Sequence, residues 1–586
     1  MEDSANSAET SKHVTKRKGG LITVPFIIVN EGFERVASIG LHVNMILYLK
    51  GVYHFDSATG ATILFWWGAI SNFLPTFGAF LSDSYLGRFW VIAIGSLVSL
   101  AGQTALWLTA ILPQTRPPYC EHYPHNCVKP DSGQLLLLFS AFALMSIGAG
   151  GIRPCSLAFG ADQFDDPDNP KNERILQTFF NWYYASVAIS VMVALIALVA
   201  VQAKYGWGLG FGIPVVFMCF AAIMFLLGSK LYVKIKADTS LMTGFAQVIV
   251  VAWKNKHLVL PQSNSPGLYH HGKDSELIHP SQRLRFLNKA CMVISDPVKE
   301  SNLEGSVFMD PWKACTVEQV ENLKALIKVL PMWSTSIMIA VTISQYPFFI
   351  LQAVSMDRRI YGNVHIPPAT LSVFGVLSLG IWVAVYDRLL VPRLSKFTKN
   401  PRGLSFEQRM GIGLFISCIA MATAALVERN RRNAAIKQGV TENPLAVVNM
   451  SAFWLVPQHV LIGLAEALNA IGQIEFYYAL FPKSMSSIGV SLFALGTAVG
   501  NLVGSFIVMV VNRVSKRGGH IGWVADNLNQ GHYDYYYWIL TAISLVNFLY
   551  FMSLIAFSNS CTDGELISND DKSATGEIKQ EESVAI

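Results

Sequence analysis

Glu31, Glu34 and Arg35 have the residue types and the spacing for proton-linked ion pairing inside a membrane. They lie in the stretch NEGFERVASIG, between two apolar runs. On a helix, positions i, i+3 and i+4 share one face, so we expect the three side chains to point the same way. A charge at the centre of a bilayer costs roughly 2.5–3.5 kcal/mol and almost always faces a bundle interior or an aqueous cavity. A static salt-bridge cluster is the alternative, but two acids and one base leave one negative charge that needs a partner or a proton.

Arg153, within the apolar stretch SIGAGGIRPCSLAFGADQFD, can supply that partner. With it, the set holds two acids and two bases and is neutral when all four are ionised. Because arginine is effectively always charged in proteins, the proton must reside on Glu31 or Glu34. Protonating one carboxylate leaves a net positive charge that attracts an anion or a carboxylate. We therefore predict Glu31, Glu34 and Arg35 as proton-coupling residues, and Arg35 and Arg153 as substrate-binding residues.

Glu475 lies in another apolar stretch, LAEALNAIGQIEFYYALFPKSMSS, directly before three aromatic residues. We predict that it faces Arg35 and Arg153 across a central cavity and binds a cationic group or a hydroxyl of the substrate. A salt bridge that locks two parts of the protein together is the alternative. Glu466, nine residues earlier, is predicted to be a gate or a structural residue.

The stretch GAFLSDSYLGRF, residues 78 to 89, resembles a loop signature of the major facilitator superfamily through Gly78, Asp83, Gly87 and Arg88. Glycines allow a tight turn and a close approach of helices. Asp83 and Arg88 can form ion pairs and helix-end contacts that hold one conformation. An ordinary turn with one acid and one base is the alternative.

The low share of charged residues indicates a membrane protein. Of the 586 residues, 52% are hydrophobic and 14% are charged, whereas a soluble domain carries about 25% charged residues. So few charges leave too little polar surface to cover a water-soluble globule. The net charge is only +5, and the basic residues lie in loops and tails. Nucleic-acid binding is therefore not expected.

Twelve apolar segments reach the length of roughly 20 residues that a membrane-spanning helix needs. They form two groups of six, which predicts an all-α polytopic membrane protein. Thr316, with Gln319 three residues later, has the capping-box pattern and predicts a helix that runs into the seventh segment. The predicted parts are an N-terminal tail (1–21), an N-terminal six-helix half (22–233), a central loop (234–325), a C-terminal six-helix half (326–558) and an acidic C-terminal tail (559–586).

The Lys and Arg residues predict the orientation. Basic clusters before the first segment, in the central loop and in DRLLVPRLSKFTKNPRG fall on one side, although ERNRRNAAIKQG falls on the other. Both termini are therefore expected in the cytoplasm. Cys120 and Cys127 share a short polar loop on the outer side, where a disulfide and two free thiols both remain open. We find no catalytic constellation, and expect neither an enzyme nor a metal or other cofactor.

These motifs together resemble those of the plant nitrate/peptide transporter family, the plant branch of the proton-dependent oligopeptide transporters within the major facilitator superfamily. Besides the stretches already quoted, FGADQFD, FFNWYY, LRFLNKA, LQAVSMDRRI, YDRLLVPRLSK and GHYDYYYWIL resemble blocks of that family and cover nearly the whole chain. The amino-acid sequences of these motifs are most similar to those of the family's first subfamily. The resemblance implies the major facilitator fold with twelve transmembrane helices in two halves, and a proton-coupled symporter with alternating access in the plasma membrane.

The resemblance also implies roles for single residues. The family's ExxER motif maps onto Glu31, Glu34 and Arg35, its basic residue of the fourth span, usually Lys, onto Arg153, and its acid of the tenth span onto Glu475. One of the best-known nitrate-transporting members has a histidine in the seventh span that contacts nitrate. The aligned position here is Ile343, which cannot donate a hydrogen bond.

Low-affinity nitrate uptake is the first expectation for function. A proton-coupled transporter of gibberellin, abscisic acid, a glucoside or a dipeptide is the alternative, and a substrate sensor is a third. The expected partners are protons, a small anionic or organic substrate and the lipid bilayer. The central loop and the tails could also bind a regulatory kinase or another partner.

Overall fold

The computed structural model describes residues 19–120, 127–164, 172–235, 241–260, 269–271, 279–292, 312–362, 364–482 and 485–581, and these residues are mostly helical. The α-helices, in chain order, are α1 Val24–Gly51, α2 Ser57–Leu81, α3 Arg88–Ile111, α4 Ser132–Asp162, α5 Asn172–Val193, α6 Val199–Leu227, α7 Leu241–Lys254, α8 Val317–Thr335, α9 Ile337–Ile343, α10 Tyr346–Val354, α11 Val373–Val385, α12 Val391–Thr398, α13 Phe406–Lys437, α14 Val456–Leu480, α15 Ser486–Ser515 and α16 Tyr533–Glu581.

In the described part of the chain, three π-helical turns extend or join these helices, at Ser82–Leu86, Ala194–Leu198 and Tyr386–Leu390. Such turns insert an extra residue into a helix and frequently occur at functional sites. The first follows α2, the second joins α5 to α6, and the third joins α11 to α12.

Among the residues that the structure describes, four short strands form two small sheets outside the helices. Strand β1, Met356–Asp357, pairs in parallel with β4, Val448–Ser451. Strand β2, Arg359–Tyr361, pairs antiparallel with β3, Val364–His365. The apolar segments do not predict these strands, because each strand is only two to four residues long.

The helix predicted to start at Thr316 is present. Thr316 Oγ1 accepts a hydrogen bond from the backbone of Gln319 at 3.3 Å, and Gln319 Oε1 accepts one from the backbone of Thr316 at 3.0 Å. This reciprocal capping satisfies two backbone donors at the start of α8. Only short breaks at Ser336 and at residues 344–345 separate α8, α9 and α10, so the three helices form one long path.

Ten helical segments in the described part of the chain are long and apolar enough to cross a membrane. One of them, residues 174–230, is broken at Gly206, whose φ of 81° lies in the left-handed region. The break divides this segment into two helices. Helix α1 has 28 residues but is not among the ten segments, since it carries the charged motif. With α1 and the division at Gly206, the predicted two sets of six helices are present.

The two ends of the bundle differ in what lies there. One end carries the loop with the Cys120–Cys127 disulfide, which is formed; we call it the disulfide side. The other end carries α7 and the turn at Ser82–Leu86; we call it the central-segment side. The disulfide decides between the two alternatives that the sequence left open.

The predicted central loop and C-terminal tail contain more helix than expected. Helix α7 and the short 3-10 helix Arg285–Ala290 pack against α8 in one hydrophobic cluster, through Val248, Leu287 and Val320. Helix α16 runs to Glu581, so most of the predicted tail continues the last helix. Residues 1–18 of the predicted N-terminal tail and 582–586 of the C-terminal tail lie outside the described residues.

Candidate substrate and proton site

Glu31 and Arg35 form an ion pair one helical turn apart on α1. Arg35 Nε donates to Glu31 Oε1 at 2.8 Å. The Glu31 side chain is fully buried, whereas 27% of the Arg35 side chain is exposed. Tyr183 of α5 lies beside the pair. The predicted shared face of α1 is therefore present, and burial of the carboxylate requires a charged partner of this kind.

Arg153 reaches Glu34 from α4, as the charge count predicted. Arg153 Nη2 donates to Glu34 Oε1 at 3.1 Å and Arg153 Nε donates to Oε2 at 3.3 Å. Arg153 also donates to Ser38 Oγ on α1. The Glu34 side chain is 1% exposed and the Arg153 side chain 16%. Two neighbouring acid–base pairs are thus buried within the N-terminal half, and the protonation of either acid would free one guanidinium.

A cavity of about 150 Å³ opens beside the Glu34–Arg153 pair. All of its lining residues belong to the N-terminal half, from α1, α2, α3 and α4. Its other polar lining residues are Ser38, His42, Ser71, Asn72, Ser99 and Gln103. Polar and charged groups that converge on a cavity between helices are typical of a small-molecule site.

His42 links this cavity to the C-terminal half and was missed by the sequence analysis. Its ring centroid lies 4.4 Å from that of Trp67 on α2 and 5.4 Å from that of Tyr346 on α10. His42 follows Arg35 by seven residues, which is about two helical turns. That spacing places both residues on the same face of α1 and was the available signal.

Glu466 lines a smaller cavity, of about 20 Å³, in the C-terminal half. Asn469 and Gln473 of the same helix and Ile343 of α9 share the lining. No basic side chain forms an ion pair with Glu466 among the residues that the structure describes. The structure therefore places an uncompensated carboxylate in the half opposite Arg153.

Glu475 lies elsewhere, and the expectation that it faces Arg35 and Arg153 is wrong for this structure. Its carboxylate forms an ion pair with Arg409 and lies 3.9 Å from Arg402. The spacing explains the error: nine residues are 2.5 turns of an α-helix, so Glu466 and Glu475 lie about 180° apart around α14. The alternative of a salt bridge fits Glu475 better, although Arg409 belongs to the same half and the bridge does not join the two halves.

Arg88 of the loop signature pairs with two acids. Its Nη1 lies 2.6 Å from Asp162 Oδ1 at the end of α4, and its Nε lies 3.6 Å from Asp83 Oδ1. The Asp83–Arg88 pair is present as predicted, but the stronger partner, Asp162, was not predicted as one. Gly87 has a φ of 77°, which glycine adopts without strain.

Gly78 of the same signature permits close packing of two helices. A Cβ on Gly78 would overlap the backbone carbonyl oxygen of Gly150 on α4. Only glycine therefore fits at this crossing without a shift of the backbone.

The arrangement recurs in the C-terminal half. Asp387 is the second residue of the π-helical turn Tyr386–Leu390, as Asp83 is of Ser82–Leu86. Arg409, in the first turns of the next long helix, pairs with Glu475 near the end of α14, as Arg88 pairs with Asp162 at the end of α4. A cavity of about 530 Å³ is lined by Asp387, Arg409 and Glu475. Both halves thus carry a helix-end charge cluster on the central-segment side.

Two six-helix halves are the architecture of the major facilitator fold. The fold matches the crystal structure of an auto-inhibited POT family peptide transporter with a TM-score of 0.67 and 20% sequence identity, over 90% of this chain and 96% of that chain. A second POT family transporter matches with a TM-score of 0.65 and 17% identity, over 92% of this chain and 98% of that chain.

The chain belongs to the POT family. The model of that family matches residues 89–524. Protein NRT1/PTR FAMILY 1.2 of Arabidopsis thaliana is 52% identical, over 94% of this chain and 92% of the relative. Protein NRT1/PTR FAMILY 1.1 of the same plant is also 52% identical, over 94% of both chains. The resemblance to the plant nitrate/peptide transporter family and its first subfamily is confirmed. The chain is a proton-coupled membrane transporter and not an enzyme.

Proposed function

We propose that this transporter is a symporter for a small organic carboxylate that also carries a hydrogen-bond donor, such as an ammonium or a hydroxyl. The observation that supports this proposal is the unpaired Glu466 in the C-terminal half, opposite the Glu34–Arg153 pair. In the proposed complex, Arg153 binds the substrate carboxylate and Glu466 accepts a hydrogen bond from the donor group. In this complex the substrate bridges the two cavities, one lined by the N-terminal half and the other by the C-terminal half.

The charge balance favours such a substrate over nitrate. The set has three acids, Glu31, Glu34 and Glu466, and two bases, Arg35 and Arg153, so it carries one net negative charge when fully ionised. Because Glu466 lies inside the bundle with no basic partner among the described residues, it holds the first proton until a substrate donor replaces it, and the set is then neutral. A monoanion alone would meet a positive site only after Glu34 binds a second proton. A substrate with both an acidic and a donating group complements the singly protonated site instead.

Nitrate remains the second candidate, because two guanidinium groups near a cavity can bind a planar anion. Its weakness is Ile343, which lines the C-terminal cavity and offers no donor. Nitrate would have to be bound by Arg35 and Arg153 alone, and each of these already pairs with a carboxylate.

We assign the proton to Glu34. When Glu34 is protonated, Arg153 loses its ionic partner and becomes available to a substrate carboxylate. When the substrate leaves, Arg153 attracts the Glu34 carboxylate again and the proton is released. Glu31 and Arg35 form the neighbouring pair, and their contact with α5 couples the proton to movement of that helix. Substrate binding near the interface of the halves, followed by rocking of one half against the other, is the usual route of alternating access.

We propose that transport takes place across the plasma membrane with both termini in the cytoplasm, so that the disulfide side faces outward. The Lys and Arg residues of the central segment support this orientation through the positive-inside rule. The disulfide also fits an oxidising outer side.

Uptake by purified protein in liposomes tests the proposal. Labelled gibberellic acid, a labelled zwitterionic dipeptide and labelled nitrate are offered at neutral external pH and again with an acidic exterior. We expect at least one organic carboxylate to accumulate with the acidic exterior, and nitrate to accumulate less. Accumulation of nitrate alone would support the second candidate, and binding without any uptake would support a sensor.

A further inference from the structure

A cavity on the central-segment side has no part in the site described above. It measures about 660 Å³ and lies between α7, the 3-10 helix Arg285–Ala290, α8 and α15, with Thr76 of α2 at one wall. Most of its lining side chains are large and apolar, among them Trp253, Phe286, Leu326, Leu330, Leu492 and Leu495. It therefore touches both halves of the transporter.

The cavity lies at the level where the membrane spans begin. Helix α15 begins at Ser486, and its cavity-lining residues are Ile488, Ser491, Leu492 and Leu495. At a rise of about 1.5 Å per residue, these lie within roughly 15 Å of the helix start. Trp253 is 70% exposed, Phe286 58% and Ile249 55%. Large apolar side chains with this exposure are typical of the boundary between lipid headgroups and acyl chains.

Two lysines stand among the cavity-lining residues. Lys256 follows α7, and Lys289 lies in the 3-10 helix. Lys289 Nζ donates to the backbone oxygen of Lys256 at 2.7 Å, which holds the two residues together. Among the described residues, the contacts recorded for the two ammonium groups are this hydrogen bond and the approach of Lys256 Nζ to 5.3 Å from the centre of the Trp253 ring. Each lysine has three donors, so most of their hydrogen-bonding capacity is left for a ligand.

We propose that this cavity binds an anionic phospholipid, with an acyl chain in the cavity and the phosphate between Lys256 and Lys289. Basic pockets between transmembrane helices bind acidic lipid headgroups in this way. The charge of the two lysines selects an anionic over a zwitterionic headgroup, and the apolar wall selects a lipid over a soluble phosphate. Because Thr76 belongs to one half and Leu492 to the other, the bound lipid acts as a wedge that stabilises the conformation seen here.

Native mass spectrometry of the full-length protein tests the site, after exchange with phosphatidylglycerol or phosphatidylcholine. The wild-type protein should retain phosphatidylglycerol in preference to phosphatidylcholine. The double variant Lys256→Gln/Lys289→Gln should retain it about 10- to 30-fold less, from roughly 1 kcal/mol per lysine near the surface. The matched control is Lys396→Gln/Lys399→Gln, which removes the same charge near α12 and should change nothing.

Two further measurements separate the headgroup from the acyl chain. Leu330→Trp narrows the cavity without removing charge and should reduce retention of the lipid. Glycerophosphoglycerol, the headgroup without acyl chains, should fail to compete. Equal retention of both lipids by the wild-type protein, equal loss in the control, or full competition by the soluble headgroup would each overturn the proposal. None of these results bears on substrate uptake, so the proposed function is tested separately.

Discussion

Glu34 is the proposed proton carrier because its carboxylate is the only acid in direct contact with Arg153 among the described residues. Both of its oxygens accept hydrogen bonds from that guanidinium. Burial makes the ionised form costly without this partner. Proton binding to Glu34 therefore frees Arg153 from its ion pair in the same step.

Glu34→Gln should abolish proton-driven accumulation of substrate while preserving exchange across the membrane. The glutamine side chain keeps a hydrogen-bond acceptor for Arg153, but it stays neutral and cannot bind or release the transported proton. The measurement compares gradient-driven uptake with counterflow in liposomes. Glu318→Gln, which changes an exposed carboxylate at the start of α8, is the control and should leave both unchanged. Accumulation by Glu34→Gln at the wild-type level would exclude Glu34 as the proton carrier.

Glu466→Gln and Glu475→Gln should fail in different ways. Loss of the Glu466 charge removes a charged hydrogen bond to the substrate, which contributes about 1.5–3 kcal/mol. We expect KM for an organic substrate to rise about 10- to 100-fold. Glu475→Gln leaves Arg409, 4% exposed, without its ionic partner, so we expect a lower Tm and turnover with little change in KM. A raised KM in Glu475→Gln, with KM unchanged in Glu466→Gln, would instead place Glu475 at the substrate site.

The helix ends on the central-segment side show how the two halves are built alike. Each half has a π-helical turn with an Asp at its second position and a basic residue in the following long helix. Each basic residue pairs with an acid at the end of the next helix in its half. The clusters hold the helix ends of each half together, so each half can move as one body.

Close glycine contacts set the spacing of helices within a half. Gly78→Ala should lower the Tm, because its methyl group overlaps the carbonyl of Gly150 and overpacking costs about 1–3 kcal/mol. Gly380→Ala on α11, where nothing lies within 4 Å of the added Cβ, is the matched control. Thermal unfolding of both purified variants measures the difference. Equal Tm values would show that α2 and α4 can separate at no cost.

Sequence reasoning predicted the helices and the first ion pairs for clear physical reasons. A bilayer requires about 20 apolar residues per span, and a capping box marks the start of α8. The charge imbalance of Glu31, Glu34 and Arg35 correctly pointed to Arg153. The prediction for Glu475 was wrong because a position deep within an apolar stretch does not tell which face of the helix a residue occupies. Helical phase puts Glu475 and Glu466 on opposite faces of α14.

Contacts between distant segments could not be predicted in the same way. Asp162 as the partner of Arg88 and Tyr346 as the neighbour of His42 both depend on how helices cross. Periodicity within one helix carries no information about which residue of another helix it meets.

The two halves are joined on the disulfide side. Lys50 of α1 forms an ion pair with Asp526 at 2.8 Å and donates to the Asp526 backbone oxygen at 2.9 Å. Ser57 Oγ also donates to Asp526 Oδ1 at 3.1 Å. Asp526 belongs to the C-terminal half and precedes α16, so these contacts hold the halves together at this end. The structure therefore represents a state closed on the disulfide side.

Lys50→Gln should shift the transporter toward the state open on the disulfide side. The variant loses an ion pair that is partly shielded from solvent. A cysteine introduced as Ser71→Cys in the N-terminal cavity reports accessibility to an impermeant thiol reagent. We expect labelling from the disulfide side to rise several-fold. Lys437→Gln at the end of α13 is the control, and an unchanged labelling rate in Lys50→Gln would show that the contact does not hold this end closed.

The most direct measurement is gradient-driven uptake of gibberellic acid, a zwitterionic dipeptide and nitrate by wild-type protein and Glu466→Gln in the same liposomes. We expect an acidic exterior to drive accumulation of an organic carboxylate by the wild type, and Glu466→Gln to lose most of this uptake at low substrate concentration. Accumulation of nitrate alone, at equal rates in both proteins, would contradict the proposed substrate class and the role of Glu466.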